Sequence, residues 1–86
     1  MPNRSDSIGR DLRLARKKRF PNDNLSNFAT RIGVARATLQ KMEKGDLSVS
    51  MDKYVKAAEV LGLQHAFDAL FRQEPSLFDD ASITTH

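Results

Sequence analysis

The sequence predicts an all-α fold of five short helices. Three observations carry that expectation: apolar residues recur three and four apart, no stretch alternates with period two, and glycines punctuate the chain between the apolar runs. Ile8, Leu12 and Ala15 place a first amphipathic helix over roughly residues 7–18, with Ser5, Asp6 and Ser7 as candidate caps and residues 1–6 as a flexible N-terminus. Lys17, Lys18 and Arg19 fall in its last turn, where they complement the helix dipole. Pro21 then disfavours helical geometry at Phe20 and ends it. Leu25, Phe28, Ala29 and Ile32 form a very short second helix, capped by Asn24 and closed by Gly33. Val34, Leu39 and Met42 set a third, ending at Gly45. Ser48 or Ser50 caps a fourth, whose apolar face is Met51, Tyr54, Val55, Ala58 and Leu61 before Gly62. Phe67, Leu70 and Phe71 mark the fifth, and from Gln73 the periodicity is lost, so residues 73–86 read as a tail.

Composition removes several function classes. Cysteine is absent, which excludes a disulfide framework, a thiol nucleophile and a Cys-based zinc site. Apolar runs are too short for a transmembrane helix, and the N-terminus has no apolar core of a signal peptide, so a soluble cytoplasmic protein is expected. His65 and His86 are too far apart for a local metal motif, and His65 beside Gly62 reads as an ordinary helix-start residue. Asp79 and Asp80 are neighbours in a tail that offers no pocket. The glycines form no phosphate-cradling loop, and Phe28, Tyr54, Phe67 and Phe71 read as core, not as a base-stacking platform. No enzyme, no metal and no cofactor is expected.

Charge is unevenly spread. Through Lys56 the chain carries 13 Lys and Arg against six acids, a balance of +7, while the remainder carries −4. The first part therefore suits a polyanion and the second a different task. The informative segment is LSNFATRIGVARATLQKMEKG, Leu25 to Gly45. Two short helices joined by three or four residues around Gly33 must cross steeply, with small Ala29 letting the backbones approach. Val34, Leu39 and Met42 would fill the angle, leaving Ala35, Arg36, Ala37, Thr38, Gln40, Lys41 and Lys44 outward. Arg matches guanine, Gln matches adenine, and Ala or a Thr methyl meets a thymine methyl. A merely solvated face would also carry such cations; the tight turn, Ala29, Gly33 and the +7 balance favour a helix that enters a DNA groove.

GVARATLQKMEKG resembles the corresponding pattern of lambda-repressor/Cro-type (XRE) helix-turn-helix regulators, over roughly Ile8 to Leu70. The resemblance implies a lambda-repressor-like DNA-binding domain over residues 7–72. It implies base contacts from Arg36, Ala37, Gln40 and Lys41, and phosphate contacts from Ala35, Thr38 and Lys44. It also implies an inward Arg16–Glu43 ion pair. Two departures stand out: Leu25 occupies a position where many members have a phosphate-clamping Gln, and Ala35 replaces the usual Ser or Thr. The run GDLSVSMDKYVKAAEVLGLQHAFDALF is similar to small HipB-like regulators and other toxin–antitoxin repressors. That likeness implies a homodimer on a palindromic operator and a cognate toxin, a HipA-like kinase, as partner. Leu63, Phe67, Leu70 and Phe71 exceed what a monomer core needs and are assigned to the dimer interface. Leu77 and Phe78 beside Asp79 and Asp80 suit either a segment that folds onto a partner or a floppy solubilising end. The alternatives are a module that mainly sequesters a toxin or other partner, and a stand-alone phage-type repressor.

Overall fold

The computed structural model describes residues 4–73, and these are all-helical, with no strand among the described residues. In chain order the helices are α1 (Arg4–Arg19), α2 (Leu25–Ile32), α3 (Arg36–Glu43), α4 (Met51–Leu61) and α5 (His65–Asp68). The tail segment containing Leu77, Phe78, Asp79 and Asp80 lies outside the described residues.

α2 forms where its local chemistry is strongest. The Asn24 side chain accepts from the Asn27 backbone N–H at 2.7 Å, and the Asn27 side chain accepts from the Asn24 N–H at 3.1 Å. This reciprocal box satisfies two of the N–H groups that a helix start leaves open. Phe28, Ala29 and Ile32 then face inward together, at positions i, i+1 and i+4. They meet Leu39 and Met42 of α3 and Ala57 and Leu61 of α4, which make up the buried core. Leu12, Ala15 and Phe20 close it from the side of α1. Each such Phe, Leu or Met contributes about 1.5–3 kcal/mol by leaving water.

The long α1 lies across this core, against both α3 and α4. Its contact with α3 is unusually close. Gly9 is buried, and a Cβ there would stand 2.5 Å from the Glu43 carbonyl oxygen and from the Gly45 nitrogen. Gly45 itself has φ of +77°, and a Cβ on it would overlap the Ser5 carbonyl. Neither position accommodates a side chain without moving the backbone.

Three sequence expectations need correction. α1 starts at Arg4, so residues 4–6 are helical and Ser5, Asp6 and Ser7 lie within the helix instead of capping it. Ile8 is 41% exposed and sits at the rim of the α1–α4 contact, since Leu12 and Gly9 take the inner positions. On α4 the buried residues are Ala57 and Leu61; Met51 is exposed, and Tyr54, Val55 and Ala58 are half-buried. α4 packs against both α2 and α1, and its buried line is Ala57 and Leu61, one turn apart.

Candidate nucleic-acid interface

α2 and α3 are joined by three residues, Gly33, Val34 and Ala35. Gly33 has φ of +72° and ψ of +32°, a left-handed conformation that glycine adopts without steric cost. Its N–H donates to the Thr30 carbonyl at 3.1 Å, and the Val34 N–H donates to the Ala29 carbonyl at 3.0 Å. These two bonds close α2 and turn the chain directly into α3. Ala35 caps α3 in extended geometry, without a side-chain hydrogen bond. The missing hydroxyl leaves a Cβ where a Ser or Thr would have satisfied a first-turn N–H.

α3 divides cleanly between an inner and an outer face. Leu39 and Met42 are fully buried. Ala35, Arg36, Ala37, Gln40, Lys41 and Lys44 are exposed, and Thr38 is half-buried at the edge. The residues assigned to base contacts and Lys44, the one cation assigned to phosphate, are thus all exposed on α3 and its C-cap. An arginine there can donate two hydrogen bonds to a guanine, a glutamine can pair with an adenine edge, and an alanine methyl can meet a thymine methyl.

The floor beneath that surface is held rigidly. Arg16, only 6% exposed, donates through Nε to Glu43 Oε2 at 2.6 Å and through Nη2 to Oε1 at 3.1 Å. This bidentate pair ties α1 to the last turn of α3. Asp46 fixes the following loop: its carboxylate accepts from the Ser48 hydroxyl at 2.6 Å and the Ser48 N–H at 2.9 Å. Those bonds hold the Asp46 carboxyl below the usual carboxylate range. Its N–H donates to the Lys41 carbonyl at 3.0 Å, and Tyr54 donates its hydroxyl proton to the Asp46 carbonyl at 2.7 Å. Burial and the nearby Asp46 charge push the Tyr54 phenol up.

Sequence reasoning missed three contributors. Gly9 is one, Tyr54 as a loop clamp is another, and the third is a cluster at the α1–α2 loop. There the Arg31 guanidinium lies 4.1 Å from the centre of the Phe20 ring and pairs with Asp23. Asp23 is held below its usual value by that hydrogen bond. The Phe20 ring in turn packs on Phe28 at 5.9 Å between centres. Ser48, expected as a candidate cap of α4, instead bonds Asp46, and the Asp-x-Ser spacing is the signal that marks such a turn; the stacking of Arg31 on Phe20 has no local signal.

Of the residues assigned to a dimer contact, Leu63 and Phe67 line one surface. Phe67 is half-buried and, with Leu63, lines a shallow apolar groove of 170 Å³ alongside Ile8, Leu12, Ala58 and Leu61. Leu63, Leu70 and Phe71 are exposed, so Phe71 is not part of the core as its aromatic character suggested. Among the described residues, no group of three His, Asp or Glu is arranged to hold a metal ion. No helix among them is long and apolar enough to cross a membrane.

The tight turn, the buried inner face and the open outer face of α3 are those of a helix-turn-helix. The helix-turn-helix family model matches residues 12–67, well over half of the chain, and the chain belongs to this XRE-type family of DNA-binding transcriptional regulators. No curated protein and no solved structure is similar enough to the chain to count as a match.

Proposed function

We propose that the protein is a sequence-specific repressor that binds a palindromic operator as a dimer and serves as antitoxin and autoregulator of a toxin–antitoxin operon. The observation that carries this reading is the outer face of α3, where Arg36, Ala37, Gln40 and Lys41 stand exposed on a helix braced by the Arg16–Glu43 pair. A module that only sequestered a partner would have no need of base-edge donors on that helix. Ala35 contributes a backbone N–H, Thr38 a hydroxyl and Lys44 a charge to the phosphates flanking the read bases. The captured partner is a HipA-like kinase, and it engages the acidic second part of the chain. The protein works where the DNA is, in the cytoplasm.

The test is binding to the DNA upstream of its own gene. A dimer neutralising about 6–10 phosphates loses roughly 10³–10⁵ in affinity between 50 and 200 mM salt. Arg36→Ala is expected to cost about 1–3 kcal/mol on the specific site and to relax the preference at one base position. Lys44→Ala is expected to weaken specific and random DNA by one common factor. An Arg36→Ala protein that loses both by the same factor would remove Arg36 from the base readers.

A further inference from the structure

We infer that the exposed basic stripe of α1, formed by Arg10, Arg13 and Lys17, is a second surface for the phosphate backbone of the same DNA, extending the contact beyond the helix-turn-helix. The inference rests on the DNA-binding reading of α3. α1 carries seven Lys and Arg in 16 residues, far more than the helix dipole or the fold uses. Arg16 is consumed by Glu43, and Arg19 lies 5.8 Å from the Phe20 ring. Arg10, Arg13 and Lys17 are exposed and form no ion pair among the described residues. At i, i+3 and i+7 they make a single line along the helix.

The direction of that line follows from helix geometry. At about 100° per residue, Arg16 lies within roughly 20° of Gly9 around the α1 axis. Both face α3, Gly9 against the Glu43 backbone and Arg16 against the Glu43 carboxylate. Leu12 and Ile8 lie on one side of that direction, toward α4 and the apolar groove. Arg13, Lys17 and Arg10 lie on the other side, at about 40°, 80° and 100° from Gly9. On α3, Arg36, Gln40 and Glu43 fall at i, i+4 and i+7, so the exposed readers adjoin the residue that meets α1. The stripe and the readers therefore flank one junction, the Arg16–Glu43 pair, from its solvent side. Asp6, one turn before Arg10, is the acidic end of the stripe and limits it to these three residues.

Repeating cations at one-turn spacing with no carboxylate partners match a phosphate backbone, which offers charge and no base information. The stripe should thus raise affinity without changing sequence preference. The experiment compares the full chain with Arg10→Gln/Arg13→Gln/Lys17→Gln on operator and random duplexes across a salt series. A charge-matched control carries Lys18→Gln/Lys53→Gln/Lys56→Gln, and circular dichroism checks helicity in both. Glutamine keeps helix propensity close to that of Arg and Lys. The stripe variant is expected to lose at least tenfold in affinity on both duplexes and to flatten the salt slope by about 0.9 per lost contact. The operator-to-random ratio is expected to hold, and the control to keep the wild-type slope. An unchanged slope in the stripe variant, or an equal flattening in the control, overturns the inference and leaves the α3 reading intact. A wild-type protein that does not prefer operator over random DNA overturns the α3 reading itself.

Discussion

At the scale of single residues, the Arg16–Glu43 pair shows how much depends on burial. Two charges at the surface would add at most about 1 kcal/mol. Here both side chains are nine-tenths hidden, and both carboxylate oxygens are engaged. Removing one partner leaves the other charge desolvated, at a cost of about 3–5 kcal/mol. Glu43→Ala is therefore expected to lower the melting temperature by well over 10 °C, since about 1 kcal/mol shifts a domain of this size by 4–8 °C. Replacing both by apolar residues, Arg16→Met with Glu43→Leu, is expected to recover most of the loss. Thermal melts of the two variants decide it, and a Glu43→Ala protein melting with the wild type would demote the pair to a surface contact. No spacing rule links residues 27 apart; the family resemblance supplied the pair. Gly9 escaped because apolar periodicity passes over glycine, and only the backbone of Glu43 and Gly45 shows why a side chain is barred.

Individual helices were legible in proportion to how local their determinants are. α2 is bounded by Asn24 and Gly33, two residues whose side-chain and backbone chemistry act within one turn, and it occupies the expected span. α1 begins earlier than its apolar pattern, because its first turn is polar and Ser5 packs its carbonyl against Gly45 instead of capping. α4 follows Ser50 in extended geometry, yet the Ser50 hydroxyl donates to Asp52 instead of accepting from the first-turn N–H groups. The loop between α3 and α4 is governed by Asp46, and this makes its closure sensitive to acid. Ser48 favours the ionised carboxylate, so the folded value lies below the ordinary one. The stabilisation is complete above the ordinary Asp value and is lost as pH falls through the folded value. Carboxyl-carbon NMR is expected to show Asp46 titrating below about 3.8, with the Ser48 amide shift moving in step. Titration at or above that value would mean the turn gains nothing from the charge.

For the molecule as a whole, the sequence separates a basic first part from an acidic second part, and the apolar groove that holds Leu63 and Phe67 draws on both, through Ile8 and Leu12 of α1 and Ala58 and Leu61 of α4. The outer face of α3 is open, and the last described residues leave apolar side chains in water. Leu63 and Leu70 are nearly half exposed, and Phe71 is 90% exposed with φ of +68°. A bulky residue in the left-handed region costs about 1–3 kcal/mol. In the dimer proposed above, burial of Phe71 against a two-fold mate would return about 1.5–3 kcal/mol in each protomer and offset that strain. Sequence reasoning chose these residues by counting apolar side chains against the needs of so short a helix; it placed Phe71 in the core as well, because composition does not tell an intramolecular contact from an intermolecular one. Leu63→Ser with Phe71→Ser is expected to weaken self-association at least tenfold in sedimentation equilibrium while leaving the helical spectrum unchanged. Operator binding by that variant should need correspondingly more protein, because two half-sites are then filled by monomers that must assemble on the DNA. If the variant sediments as the same species as the wild type, the proposed dimer is not built on Leu63 and Phe71.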